Sequence, residues 1–128
     1  MEQNNEKEPL SLDIDLSYLR TIAGDSAEFM IEMIDLFLDQ TPGYFDQLQL
    51  AVDEGNWKAV ADTAHKIKPT LAFVGVNTAK QEIESIEKKA RSLENVDEIP
   101  SQLRTLRAAC SNLYENLRKV RAELESEL

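Results

Sequence analysis

His65 and Lys68 combine residue types and a spacing that could do chemistry. His65 is the only histidine among 128 residues. It lies in a run beginning at Trp57, where Trp57, Val60, Ala61, Ala64, Ile67, Leu71 and Val74 recur at steps of one, three or four and form the apolar stripe of an amphipathic helix. At about 100° per residue, His65 points roughly 130° from the centre of that stripe and should face water. Lys68 follows one turn along, within reach of whatever the imidazole holds. A neutral imidazole is a good nucleophile near neutral pH, because its ordinary pKa is about 6.5. Attack on a phosphoryl group leaves roughly −1.5 to −2 charges on the side chain, and a lysine one turn away offsets them. Lys66 points elsewhere and contributes mainly a general field.

The charge pattern agrees with this chemistry. No acid lies between Asp62 and Glu82, the longest such stretch in a strongly acidic chain, and it holds Lys66, Lys68 and Lys80. A local positive island around one histidine suits phosphate. Other chemistries find little support. Zinc needs three or four His, Cys or carboxylate ligands, and one His with one Cys on different helices is not such a set. A Cys–His nucleophilic pair would require Cys110 to leave an apolar seam. No glycine-rich phosphate loop is present, and no paired acid and base groups advertise autonomous catalysis. No metal or cofactor is therefore expected on the chain itself.

Composition narrows the partners. A net charge of −10 argues against a nucleic-acid binder and against an anionic membrane surface. No apolar run approaches a membrane span, and the N-terminus lacks a signal-peptide core. A single cysteine, Cys110, cannot form an internal disulfide, so a reducing, cytoplasmic setting is the default.

With only four glycines, four prolines and almost no strand signal, the chain reads as all-α. Residues 1–11 read as a disordered tail or linker, either the edge of a longer protein or the end of a free-standing one. Residues 12–128 read as one domain. Asp15 caps a short helix from Leu16 to about Ala23, which Gly24 ends. Asp25 or Ser26 starts a long second helix with Phe29, Met30, Met33, Ile34, Phe37, Tyr44, Phe45, Leu48 and Val52 on its apolar face. Pro42 should kink that helix, which ends near Glu54–Gly55. Asn56 caps the third helix, and Gly75 terminates it. Asn77 or Thr78 opens the fourth, with Ala79, Ile83, Ile86, Ala90 and Leu93 facing inward. The last helix carries Ile99, Leu103, Leu106, Cys110, Leu113, Leu117, Val120 and Leu124 at alternating steps of four and three. That seam reads as internal, which makes a monomer the expectation. The architecture that fits is an antiparallel four-helix bundle with a short additional N-terminal helix.

The segment Ala64-His65-Lys66-Ile67-Lys68-Pro69-Thr70-Leu71-Ala72-Phe73-Val74-Gly75 resembles the signature of histidine-containing phosphotransfer (HPt) domains. Their pattern is roughly A-H-x-[LI]-K-G-[SA], with a second glycine ten residues after the histidine, here Gly75. The short first helix and long second helix resemble the family too. Glu87 falls where the family often has an acid or amide, with Arg91 one turn on. The resemblance implies a phosphorelay intermediate. His65 is then the phosphoacceptor, and Lys68 stabilises the phosphoryl group. The implied partners are response-regulator receiver domains or a hybrid sensor histidine kinase, with Mg²⁺ supplied by the receiver. Family members dock receivers through the first and early second helices, which points here to Ile22, Phe29 and Met33, and Arg91 joins them as a docking candidate. Pro69 departs from the pattern. It stands in place of the usual glycine and removes a backbone hydrogen bond to the His65 carbonyl.

Two other readings share this helical layout. A non-catalytic adaptor would bind a partner helix through an apolar groove, indifferent to His65. A domain of a chemotaxis-type kinase would receive its phosphoryl group from a separate ATP-binding domain.

Overall fold

A computed structural model describes residue 10 and residues 12–128. The expected tail lies outside the described residues, except that Leu10 is half-buried and packs against the core. Among the described residues there is no strand. Five helices follow in order: α1 Ser17–Ala23, α2 Ala27–Asp53, α3 Trp57–Phe73, α4 Asn77–Ser92 and α5 Ile99–Glu125, with a 3₁₀ turn at Val96–Glu98 before α5. Helices α2 to α5 form the antiparallel bundle, and α1 packs on α2 at one end. Among the described residues no helix is long and apolar enough to cross a membrane.

Local chemistry sets the helix ends. Asp15 lies two residues before α1 and accepts hydrogen bonds from the Ser17 backbone N–H (3.0 Å) and hydroxyl (2.6 Å). Ser26 caps α2 by accepting from Phe29 N–H at 3.2 Å, and Asn56 caps α3 by accepting from Ala59 N–H at 3.2 Å. The helix α2 runs without interruption through Pro42, and α3 through Pro69. Each proline lacks the N–H that its turn would use, so the carbonyls of Leu38 and His65 lack their i+4 donors. Packing of the apolar faces holds both helices across these breaks. Met30, Ile34, Phe45 and Leu48 of α2 meet Val60, Ala64, Ile67 and Leu71 of α3 in the core, all at 1% exposure or less.

The α5 seam is buried as its spacing predicts, with Val120 only partly covered. Leu93 is a correction. It is 66% exposed, because it adopts left-handed backbone (φ 58°) and ends α4 instead of continuing its inner face. The α4–α5 junction is tied by polar side chains. Gln102 donates to Glu82 (3.0 Å) and accepts from Lys89 (2.9 Å), and Lys89 pairs with Glu98 (3.1 Å). These contacts fix α4, and with it the face that α4 turns toward α3.

Gly75 has two duties. It ends α3 in the left-handed region (φ +66°), where its N–H donates to the Ala72 carbonyl and Val76 N–H donates to the Leu71 carbonyl. It also takes the segment before α1 against its bare Cα: a Cβ there would lie 1.8 Å from the Asp15 carbonyl oxygen. That contact seats Asp15, which starts α1, and α1 brings Tyr18 onto Phe73 with ring centroids 6.0 Å apart. Gly55 has a similar φ of +67° but open space around it. Gly55→Ala should therefore cost about 1 kcal/mol, the ordinary penalty of a side chain in left-handed backbone. Gly75→Ala should cost at least about 2 kcal/mol more, because the Asp15 backbone must move. Thermal unfolding followed by circular dichroism checks the difference, and equal losses would contradict it.

Candidate functional site

The third helix presents its outer face between α2 and α4. Lys66 leans toward α2, with its ammonium 5.0 Å from the Tyr44 ring centroid and 3.4 Å from Gln47 Oε1. Lys68 leans the other way, toward α4. His65 stands between them with 66% of its side chain exposed, as its place off the apolar stripe requires. Pro69 lies one turn beyond on the same face and is also exposed.

The spatial neighbour of His65 is Glu87, from the middle of α4. Its Oε2 lies 3.0 Å from His65 Nδ1, and its Oε1 lies 2.9 Å from Lys68 Nζ. Arg91, one turn on, reaches Glu87 Oε2 at 3.5 Å and Asp62 Oδ1 at 3.3 Å. Lys58 pairs with Asp62 at 3.0 Å, which continues the chain of charges down α3. Glu87 is only 14% exposed. Partial burial pushes its carboxyl pKa up, but the hydrogen bond and charge of Lys68, and then those of His65, outweigh burial and hold it below the usual carboxylate range. The folded-state pKa is thus depressed. The contribution of this clamp to stability is complete above the ordinary carboxylate range, and it fades as pH falls through the lowered value.

An ionised carboxylate only accepts hydrogen bonds. The ring nitrogen facing it must therefore carry the proton, which makes His65 the Nδ1–H tautomer when neutral. Its Nε2 then has a free lone pair on an exposed ring. The positive island expected from sequence is altered in one respect. The stretch free of acids along the chain is not free of them in space, since Glu87 enters between His65 and Lys68, and Lys80 pairs with Glu84 at 3.5 Å.

The docking candidates separate into two groups. Ile22 (44% exposed) and Phe29 (38%) are open to solvent, which removes Phe29 from the core face of α2. Met33 is half-buried and lines a cleft of about 220 Å³ between α2 and α3, together with Leu36, Phe37, Thr41, Thr70 and Phe73. Leu36 (45%) and Tyr18 (55%) complete an apolar strip that sequence reasoning missed. Leu36 follows Phe29 and Met33 at i+7 and i+3, so helical spacing carried the signal. Arg91 is not part of this strip; it is half exposed and sits in the Glu87 network. Cys110 is buried in the α5 seam, and burial pushes its thiol up to about 11, which leaves it unreactive. No group of three or more potential metal ligands occurs among the described residues.

A family model for the Hpt domain matches residues 32–126. No curated protein matches the sequence. Among solved structures, the chain is similar to the HPT domain of an Hpt sensor hybrid histidine kinase from Shewanella. The two are 18% identical, the TM-score is 0.72, and the alignment covers 86% of this chain and 94% of that one. At such identity the likeness speaks for the fold, and the fold is the helical bundle described above. The family match spans α3 and α4, and so the whole His65–Lys68–Glu87 cluster. The chain belongs to the Hpt domain family.

Proposed function

We propose that this protein is a phosphorelay carrier in two-component signalling, with His65 as the phosphoacceptor. Hpt domains serve phosphotransfer in such systems, and the chain is one of them. The observation that carries the residue assignment is the exposed His65 ring with its Nδ1 3.0 Å from the Glu87 carboxylate, a contact that calls for a proton on Nδ1 and so leaves the Nε2 lone pair free. In the forward step the Nε2 lone pair attacks the phosphorus of an aspartyl phosphate on a receiver domain. The bond between phosphorus and the acyl oxygen breaks, and its electron pair returns to the aspartate carboxylate. The reverse of this step, on a second receiver, passes the phosphoryl group onward. The receiver brings Mg²⁺; this chain brings a positioned nucleophile and cations.

Lys68 is held ready on Glu87 and is 25% exposed. A phosphoryl group on Nε2, with close to two negative charges, competes with Glu87 for that ammonium and draws it over. In this reading the chain carries the group without kinase activity of its own, as Hpt domains generally do. The apolar strip of Tyr18, Ile22, Phe29, Met33 and Leu36 is the surface on which a receiver would seat. The reading takes the carrier to be cytoplasmic and monomeric.

Incubation with an aspartyl-phosphorylated receiver should give the protein acid-labile, base-stable phosphate. His65→Gln should abolish the label without changing helicity by circular dichroism, and equal labelling of the variant would overturn the assignment. Lys68→Ala should still accept label but about 10-fold to 100-fold more slowly. That is the range expected for losing one charge-assisted contact of about 1.5–3 kcal/mol. Stopped-time gel assays of transfer measure the rate, and an unchanged rate would remove Lys68 from the mechanism.

A further inference from the structure

We infer that Glu87 sets how readily the phosphoryl group leaves, by retaining the Nδ1 proton on the loaded ring. The inference rests on the carrier reading above and extends it to the phosphorylated state. When Nε2 forms its bond to phosphorus, the ring keeps its Nδ1 proton and becomes a cationic phosphoimidazolium. On release, the N–P bond breaks and its electron pair returns to Nε2, which yields neutral imidazole directly. If the Nδ1 proton has been lost beforehand, the departing group is an imidazolate anion, a much poorer leaving group. The fate of one proton therefore separates a labile donor from a stored phosphate.

The side chain under that proton decides the matter. A carboxylate offers only acceptors, so it supports the protonated ring alone. An amide in the same place can accept from Nδ1–H or donate to a bare Nδ1, and so serves both forms. Glu87 is the former, 3.0 Å away and 14% exposed, which makes its hydrogen bond to a cationic ring charge-assisted. The other charged groups around the ring are divided. From α3, Lys68 opposes a ring cation and Asp62 favours it, while Lys66 is turned onto Tyr44 of α2. From α4, Arg91 opposes it, and Glu84 and Lys88 line a hollow beside Lys68, Glu87 and Arg91. Loading shifts this balance toward the ring. The phosphoryl group takes Lys68 for itself, which leaves the Glu87 carboxylate with one cation fewer to serve.

The test loads the protein with potassium phosphoramidate, a small donor that phosphorylates histidine without any partner. The decay of the purified phosphoprotein is then followed by ³¹P NMR across pH 6 to 9, for wild type, Glu87→Gln and Glu87→Ala. We expect both variants to accept label at His65 and to hold it longer, roughly tenfold at about pH 8, which corresponds to about 1.4 kcal/mol. Their decay should also slow at a lower pH than that of wild type. A role for Glu87 confined to packing would change the loading rate and leave the pH profile of decay unmoved. Superposable decay profiles for wild type and both variants would overturn the inference while leaving the carrier reading intact. Failure of wild-type His65 to take label would overturn both.

Discussion

The Glu87 carboxylate is the hub on which the site depends. It is a nearly buried anion between two helices, and it survives as an anion because three cationic or proton-donating groups converge on it: His65, Lys68 and Arg91. Removing any one leaves the others to compensate. Removing the carboxylate leaves two cations facing each other beside a ring that has lost its orientation. The network also accounts for the exposure of the histidine. A ring held at one nitrogen by a neighbouring helix needs no cover from the core, so it can stand in solvent and still keep one orientation.

The bundle exists, for this purpose, to hold α3 and α4 in register. His65 and Glu87 lie on different helices, and a shift of a single turn, about 5.4 Å, would separate them. Two devices prevent it. The Val74–Val76 turn is short and is locked by Gly75, and α4 is tied to α5 through Glu82, Gln102, Lys89 and Glu98. Gly75 links the site to the N-terminal segment as well. The Asp15 backbone rests on it, and from there α1 places Tyr18 against Phe73 at the end of α3. One glycine thus fixes both the end of the helix that bears His65 and the apolar surface proposed for receiver docking.

Much of this was legible in the chain. Apolar spacing gave the five helices, and Ser26, Asn56 and Gly24 mark their ends where the structure has them. The outward turn of His65 followed from its angle to the stripe of α3. Other features were not, and the reasons are physical. Local periodicity says which face of a helix is wet but not which residue of another helix meets it, so composition alone did not show that Glu87, 22 residues on, would sit beside His65. Its only local mark is an acid between Ile83 and Ala90, on the flank of a buried stripe. Leu93 misled because apolar spacing continues through it, whereas the backbone has already turned left-handed. Pro42 reads as a kink and Pro69 as a lost hydrogen bond, and both helices run on through them, because tertiary packing outweighs the loss of one hydrogen bond each.

The tautomer of His65 is the most direct test of the account. Because the chain has one histidine, its ring nitrogens give a single unambiguous set of signals in a long-range ¹H–¹⁵N correlation spectrum. For the neutral ring, the spectrum should show Nδ1 carrying the proton and Nε2 bare, the reverse of the form that free histidine prefers in water. A neutral ring protonated at Nε2 would contradict the account, since the lone pair would then face Glu87 and no nucleophile would face the partner.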